Sequence, residues 1–280
     1  MSNGIRLLAR RVLPGLPLAL GFTLLYLAVI VLLPLGALVF KAASLGFEDY
    51  WRIVSGSRAV ASYRVTVLSA LAATAFNLVF GLALAWVLTR YRFPGRRLLD
   101  ALVDLPFALP TAVAGISLTA LFSTNGWFGA PLSQLGITVA YTPLGIMVAM
   151  AFTSLPFVVR TVQPVLEDLD PALEEAAQSL GGRDGTIFRR VILPLLTPAI
   201  LAGVSLSFAR SLGEFGAIIF IAGNQPNRTE ITALLAFIRL EEYDYPAAAA
   251  IASVLLITAF IMLAVTNALQ ARALRYMRRS

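Results

Sequence analysis

Arg210 and Glu214 are the charged pair with the greatest scope for chemistry, because they lie four positions apart inside a long apolar stretch of the chain. If that stretch crosses a membrane, charged side chains within it face the protein interior or a watery cavity and mark a substrate path by default. At this spacing the two side chains can equally pair on one helical face as a structural ion pair. Both interpretations stand. Gly213 and Gly216 lie beside the pair and can open the backbone locally, so these four residues are the pore candidates.

Asp100 and Asp104 form a second pair of chemically competent side chains, at the start of another apolar stretch. Paired carboxylates are typical of general acid and base catalysis. Acidic residues at the beginning of a helix are also stabilised by the helix dipole, and Arg96 and Arg97 lie close in sequence. The structural interpretation is favoured, so no catalytic residue is predicted.

The residues that many enzymes use are missing from this chain. Its 280 residues include no His and no Cys, which excludes imidazole proton transfer, thiol nucleophiles and His or Cys metal sites. The single Lys, Lys41, follows Phe40 rather than the glycine of a phosphate-binding loop, so ATP cannot bind in that way. We therefore expect a protein that is not an enzyme and that holds no metal or cofactor of its own.

The elements that position these residues are predicted to be membrane-spanning helices. Hydrophobic residues make up 59% of the chain and charged residues 13%, and mean hydropathy is +0.82. Soluble domains carry about twice that share of charge. A spanning helix needs about 20 mostly apolar residues. Stretches that qualify lie at 16–40, 65–89, 101–123, 137–159, 195–222 and 247–269. The prediction is an all-α integral membrane protein with six transmembrane helices.

Basic residues are distributed unequally between the two ends of these helices. Fifteen arginines fall at the termini and in the second and fourth loops, whereas six basic residues occupy the alternate loops. Because cytoplasmic loops carry the excess of Arg and Lys, both termini are predicted to be cytoplasmic. The fifteen are Arg6, Arg10, Arg11, Arg90, Arg92, Arg96, Arg97, Arg160, Arg183, Arg189, Arg190, Arg272, Arg275, Arg278 and Arg279, and the six are Lys41, Arg52, Arg58, Arg64, Arg228 and Arg239.

The cytoplasmic loop 161–194 is predicted to contain a short helix. Asp170 can cap its start, Pro171 suits its first turn, and Gly181-Gly182 supplies a left-handed stop. Its apolar residues recur at helical spacing, at Leu173, Ala176, Ala177 and Leu180. At about 1.5 Å per residue the helix is too short to cross a membrane. It either packs on the bundle's own inner face or docks into a groove of another protein, and the periodicity favours neither.

Residues in this loop resemble the EAA signature of type I, binding-protein-dependent ABC importer permeases. That signature is Glu-Ala-Ala, three positions, Gly, nine positions and Ile-x-Leu-Pro, and the chain has Glu175-Ala176-Ala177, Gly181 and Val191-Ile192-Leu193-Pro194. The resemblance implies the type I permease fold and a coupling helix that docks on a cytoplasmic ATPase subunit, where ATP and Mg²⁺ would bind. The docking residues that it implies are Glu175, Ala176, Ala177, Leu180, Gly181, Leu193 and Pro194.

Further stretches resemble permeases for small oxyanions. Residues 105–115 and 209–217 are similar to segments shared by sulfate and molybdate permeases, and residues 221–230 and 239–246 look like the sulfate/thiosulfate T-type permeases. The resemblance implies one half of a pathway for sulfate or thiosulfate across a bacterial inner membrane. Molybdate or tungstate import by the same kind of complex, and ATP-independent secondary anion transport, are the alternatives.

The same resemblance implies a set of partners and a division of the chain. The partners are a W-type permease, two copies of an ATP-binding subunit, a periplasmic sulfate/thiosulfate-binding protein and membrane lipid, with no nucleic acid. An external segment holding Asn224, Arg228 and Glu230 is the candidate contact for the binding protein, and ordinary solvated loop is the alternative. The predicted divisions are an N-terminal transmembrane helix and first external loop at 1–59, a permease core at 60–270 and a basic cytoplasmic tail at 271–280.

Overall fold

The computed structural model describes residues 15–277, and every regular element within that range is a helix. Arg6, Arg10, Arg11, Arg278 and Arg279 of the sidedness prediction lie outside the described residues. The helices are α1 (Leu16–Leu27), α2 (Leu33–Ala43), α3 (Phe47–Val54), α4 (Ser57–Arg90), α5 (Arg96–Val103), α6 (Leu105–Ala108), α7 (Thr111–Phe122), α8 (Gly129–Gln134), α9 (Pro143–Glu167), α10 (Pro171–Ser179), α11 (Asp184–Ile187), α12 (Leu193–Leu212), α13 (Gly216–Ile221), α14 (Thr232–Glu241) and α15 (Tyr245–Met277).

Long apolar helices dominate the molecule and confirm that it is an all-α membrane protein. Short π-helical turns join α1 to α2 and α11 to α12, so each pair forms one continuous helical run. Within the described residues five runs are long and apolar enough to cross a membrane, namely Leu16–Ala43, Ser57–Arg90, Pro143–Glu167, Asp184–Leu212 and Tyr245–Leu269. Their outward faces carry many exposed Leu, Ile, Val and Phe side chains, as a lipid solvent requires.

The third predicted span, 101–123, is a broken segment rather than one helix. It consists of the end of α5, the single turn of α6, and α7, which has 12 residues. Pro106 opens α6 and Pro110 caps the start of α7, with Leu109 extended between them. Proline lacks the N–H donor of a continuing helix, and it disfavours helical geometry in the residue before it. The apolar composition was read correctly, but the continuity of the helix was not.

The predicted loop 161–194 is shorter in the structure than in the prediction. Helix α9 continues to Glu167, and a new helical run begins at Asp184 and leads directly into α12. Only residues 168–183 therefore connect the two spans, and α10 occupies the middle of that connection. Residues 184–194, which the prediction placed in the loop, are therefore the beginning of the membrane-spanning run Asp184–Leu212.

Small and polar side chains hold the three central helices α4, α9 and α12 together. The buried amide of Asn77 donates to Ala151 O (3.1 Å), to Ser154 Oγ (2.8 Å) and to Ser207 Oγ (3.3 Å), which links all three helices. An added Cβ at Gly81 would lie 3.0 Å from Val158 Cγ1, so α4 and α9 approach closely there. Close packing of small residues, together with hydrogen bonds between helices, is how helices associate in lipid.

Helix α13 lies across α7 at two glycines. A Cβ on Gly115 would overlap the backbone of Ala217, and a Cβ on Gly216 would overlap the hydroxyl of Thr111. The break at Gly213–Phe215, which ends α12 and interrupts the predicted span 195–222, allows α13 to take this path. The packing therefore positions the end of α12, where Arg210 and Glu214 lie.

Candidate functional site

Helix α10 forms as the local sequence signals predict. The Asp170 side chain accepts a hydrogen bond from Ala172 N (2.9 Å), and Pro171 occupies the first turn. At the other end Gly181 has φ of +83°, the left-handed conformation that glycine adopts without strain. The N–H groups of Gly181 and Gly182 return to Gln178 O (2.8 Å) and Ala177 O (2.9 Å). The helix is thus capped at both ends.

The helix is fastened to the ends of two membrane-spanning runs. Arg90, the last residue of α4, forms an ion pair with Glu174 and lies 5.3 Å above the ring of Trp86. Trp86 in turn packs edge-to-face on Phe188, with ring centroids 5.4 Å apart. These contacts connect α10 to the end of α4, and the end of α4 to the helical run that becomes α12.

The predicted apolar stripe on α10 does not pack on a single surface. Ala177 is half-buried against the bundle, whereas Leu173 is 45% exposed and Leu180 is 90% exposed. Glu175 and Ala176 are exposed beside them. Leu180 therefore projects from the end of α10, on the accessible side of the helix that also holds Glu175 and Ala176.

The remaining predicted docking residues have different surroundings. Gly181 is exposed at the end of α10, which continues the surface that holds Leu180. Leu193 and Pro194 form the first turn of α12, where Leu193 is half-buried and Pro194 is exposed. Pro194 suits that position because a first-turn residue needs no N–H donor.

Arg210 and Glu214 meet at the break after α12. Arg210 Nη1 lies 2.6 Å from Glu214 Oε2, an ion pair without hydrogen-bond alignment, and Glu214 Oε1 accepts from Ala217 N (2.9 Å). The glutamate is fully buried, while the arginine side chain is 31% exposed. The pair is therefore asymmetric, because its positive member alone reaches an accessible surface. Gly213 is exposed at the break, and Gly216 packs on Thr111.

Asp100 and Asp104 belong to an ion-pair cluster whose centre is Arg160. Arg160 donates to both oxygens of Asp104 (2.8 and 2.7 Å), to Asp100 Oδ1 (2.6 Å) and O (2.8 Å), and to Gln163 Oε1 (2.6 Å). Its guanidinium thus joins the start of the broken segment to α9. The cluster gives both carboxylates a structural partner, and that partner is Arg160 rather than the nearby Arg96 or Arg97.

Replacing Arg160 with lysine is expected to lower the free energy of unfolding by about 1–3 kcal/mol, because lysine keeps the charge but cannot form the forked contacts. Half-exposed carboxylates keep part of their hydration, which holds the effect below that of a buried pair. Thermal unfolding in detergent measures the change. The control is Arg52→Lys at the exposed Arg52–Asp49 pair, where we expect less than about 1 kcal/mol. Equal losses in the two variants would contradict the role given to the cluster.

A known family matches most of the chain. Residues 77–279 match the model for "Binding-protein-dependent transport system inner membrane component". The chain belongs to this family. It is therefore a multi-pass inner-membrane permease subunit, not an enzyme, and it works with a binding protein and with partner subunits.

Relatives of this permease cover nearly its full length. It is 61% identical over 264 residues to the "Sulfate transport system permease protein CysT" of Salmonella typhimurium, covering 94% of this chain and 95% of that one. The protein of the same name in Escherichia coli is 60% identical with the same coverage, and that of Synechocystis is 50% identical over 254 residues, with coverage of 91% and 89%.

Solved structures confirm the fold of the permease as that of type I ABC importers. A bacterial ABC transporter that imports the acidic polysaccharide alginate has a chain that superposes with a TM-score of 0.76 at 18% identity, covering 92% of this chain and 95% of that one. The same transporter, in complex with a periplasmic protein that holds an alginate pentasaccharide, gives 0.75 at 19% identity, with coverage of 92% and 94%.

The segment predicted to contact the binding protein is only partly accessible in the permease. Asn224 and Arg228 are exposed. Glu230 is 1% exposed, and both of its carboxylate oxygens accept from Arg58, at 2.8 and 2.6 Å. The Arg58 pair fixes the segment to the start of α4, so Glu230 has a structural role and Asn224 and Arg228 are the exposed members of the predicted set.

The structural roles of three residues that hold the helices of the permease together were not predicted from the sequence. From the sequence, Arg160 and Arg58 contributed only to the distribution of basic residues between loops. In the structure each of them contacts both oxygens of a carboxylate. Asn77, a single amide inside an apolar stretch, donates hydrogen bonds that join α4 to α9 and α12. Its polarity within a span was a usable signal, because such residues face a helix–helix interface. The two arginines gave no local signal, because their partners lie 56 to 172 positions away.

Proposed function

We propose that this permease forms one half of the pathway of an ATP-driven importer for sulfate and thiosulfate. The observation that carries the proposal is the 61% identity, over 94% of the chain, to a protein named as a sulfate transport system permease. The matched region covers 94% of this chain and 95% of that relative, so the similarity is not confined to the α10 segment. The second permease would be a W-type chain, and the soluble partner a periplasmic sulfate/thiosulfate-binding protein.

The chemistry of the anion is consistent with the site at the end of α12. Sulfate is a dianion, and moving even one bare charge into hydrocarbon costs tens of kcal/mol by a Born estimate. The path must therefore be wet and must offer positive potential. Arg210 meets that need because its guanidinium is partly exposed, while the neutralising carboxylate of Glu214 is buried behind it. Gly213 leaves the exposed backbone at the break free of a side chain, whereas Gly216 lets Thr111 of α7 pack closely beside it.

The energy would come from two copies of a cytoplasmic ATP-binding subunit, which hold the ATP and Mg²⁺ that this chain has no motif to bind. Exposed residues of α10 and the turn after it would dock there, with Leu180, Glu175, Ala176 and Gly181 at the contact. Ala177, Leu193 and Pro194 would complete the set of docking residues. Closing of the ATPases would move α10, and the contacts of Arg90 and Phe188 would transmit the motion to the pore helices.

This mechanism needs α10 on the cytoplasmic side of the membrane, and the positions of the arginine residues support that placement. The Arg90–Glu174 pair brings the basic residues 90–97 to the same end of the bundle as α10, which carries Arg183 close after it. An excess of arginine marks the cytoplasmic side. We accordingly place both termini and α10 in the cytoplasm, and Asn224 and Arg228 on the side of the binding protein. The divisions 1–59, 60–270 and 271–280 are kept as part of this proposal.

Uptake of labelled sulfate in a strain lacking this permease tests the proposed substrate. Restoring the chain is expected to restore uptake, and a tenfold excess of thiosulfate is expected to suppress it by more than half. Molybdate or tungstate at the same excess should leave uptake within about a fifth of its value. Failure to restore sulfate uptake, with uptake of labelled molybdate restored instead, would assign the permease to molybdate or tungstate. Uptake that persists after ATP depletion would assign it to secondary transport.

A further inference from the structure

Three arginines surround a small pocket at the turn between α4 and α5. Arg92, Arg96 and Arg97, with Phe93 and Gly95, line a cavity of about 310 Å³. Gly95 has φ of +86°, and this left-handed residue turns the chain so that arginines from both sides of the turn reach one cavity. The pocket therefore concentrates three positive charges within six consecutive residues.

None of these three guanidinium groups forms a salt bridge with the part of the chain that the structure describes. Salt bridges among residues 15–269 engage Arg52, Arg58, Arg90, Arg160, Arg210 and Arg239 instead. The residues at the chain ends whose side chains are not described include no Asp or Glu. Three like charges around one cavity repel one another, and an anion bound between them relieves that repulsion.

The helix that follows the pocket has its own lipid-facing surface. On α5, Leu99 packs against the core and Val103 is buried, so one face of the helix is committed to the bundle. Leu98 and Leu102 point elsewhere and are 66% and 50% exposed. Leu98 directly follows Arg97 and Leu102 lies one turn further along, so apolar side chains beside a cluster of arginines make α5 amphipathic, as are helices that lie at a membrane interface.

The three arginines and the exposed leucines of α5 together suit an amphiphilic ligand better than a free anion. A phosphate ion would use only the arginines, whereas a phospholipid places its phosphate at the arginines and its acyl chains along the exposed leucines. Clusters of Lys and Arg next to the cytoplasmic end of a span are typical of anionic-lipid recognition. Arginine also suits phosphate because its planar fork matches two of the oxygens.

We propose that this pocket binds the phosphate of an anionic phospholipid of the cytoplasmic leaflet, with Leu98 and Leu102 against the acyl chains. The site rests on the sidedness given under the proposed function and is independent of the transported substrate. Because the Arg160 cluster ties α5 to α9, a lipid bound there also steadies the base of the broken segment.

Native mass spectrometry of the purified importer, titrated with phosphatidylglycerol or phosphatidylcholine, tests the site. A basic residue near an anionic surface contributes about 1 kcal/mol, or roughly fivefold in affinity. We expect Arg92→Gln/Arg96→Gln/Arg97→Gln to weaken phosphatidylglycerol binding at least tenfold and to leave phosphatidylcholine binding unchanged. Arg97 is exposed, so Arg97→Gln alone preserves the fold and is expected to weaken phosphatidylglycerol binding about threefold to fivefold. The matched control, Arg183→Gln/Arg189→Gln/Arg190→Gln, removes the same charge elsewhere and should have less than a twofold effect.

Three results would overturn the proposal. Equal weakening by both triple variants would mean general attraction to basic residues instead of a site. Displacement of phosphatidylglycerol by millimolar inorganic phosphate would mean a free-anion site. Loss of the ATPase subunit from the triple variant would mean that the turn is a protein contact. Lipid binding is read without transport, so failure of this proposal and failure of the proposed sulfate function are separate outcomes.

Discussion

Leu180→Glu is expected to abolish ATP-driven uptake and to release the ATPase subunit during purification, while the permease remains folded. The side chain is 90% exposed, so the folded permease loses almost no packing when it changes. In the complex the same position would be covered, and a glutamate would bury a charge without a partner. Losses at such interface positions are about 3 kcal/mol or more, which corresponds to over 100-fold in affinity.

Leu135→Glu is the matched control for this prediction. Leu135 is also an exposed leucine, at 76%, and it follows α8, which the proposed sidedness places at the other end of the bundle. This variant is expected to retain the ATPase subunit at the wild-type ratio on a gel of the purified complex. Normal recovery of the ATPase subunit with Leu180→Glu would remove α10 from the docking surface.

Arg210→Gln is expected to reduce both the stability and the transport activity of the permease. It leaves the fully buried carboxylate of Glu214 without its counter-ion. Removing one partner of such a pair costs about 3 kcal/mol. Sulfate uptake is expected to fall at least tenfold, because the only partly exposed positive charge at this break is lost. Thermal unfolding and labelled uptake, normalised to protein in the membrane, measure the two effects.

The double variant Arg210→Gln/Glu214→Gln separates a pore role from a structural role. It removes both charges, and an amide oxygen at position 214 can still accept from Ala217 N. Stability is therefore expected to return to within about 1 kcal/mol of the wild type, while uptake stays low. Recovery of uptake together with stability would show that the pair only locks the end of α12.

Local signals were sufficient to predict α10 from the sequence. The cap at Asp170, the proline at 171 and the left-handed glycine at 181 act within a few residues of one another, and each has the predicted role in the structure. The apolar stretches also predicted the membrane-spanning segments, because a lipid environment requires apolar residues regardless of which helices pack against the segment.

Ion pairs between residues that are far apart in the sequence could not be predicted. Arg160 lies close to Asp100 and Asp104 only because α9 packs on the broken segment, and no local pattern encodes that packing. Glu230 looked like an exposed loop acid until the fold placed it beside Arg58. The break in the third segment was not predicted, because apolar composition alone does not show where a membrane helix is interrupted and prolines often leave such a helix continuous.

Reconstitution of purified components into liposomes tests the central claim that a separate ATPase drives this permease. The measured quantity is labelled sulfate accumulated in the presence of the binding protein, with ATP supplied on the side that holds α10. We predict accumulation only when both permeases, the ATPase subunit and ATP are all present, and none when the ATPase subunit is omitted. Sulfate movement through the permease chain alone, at a rate comparable to that of the complete complex, would contradict the account.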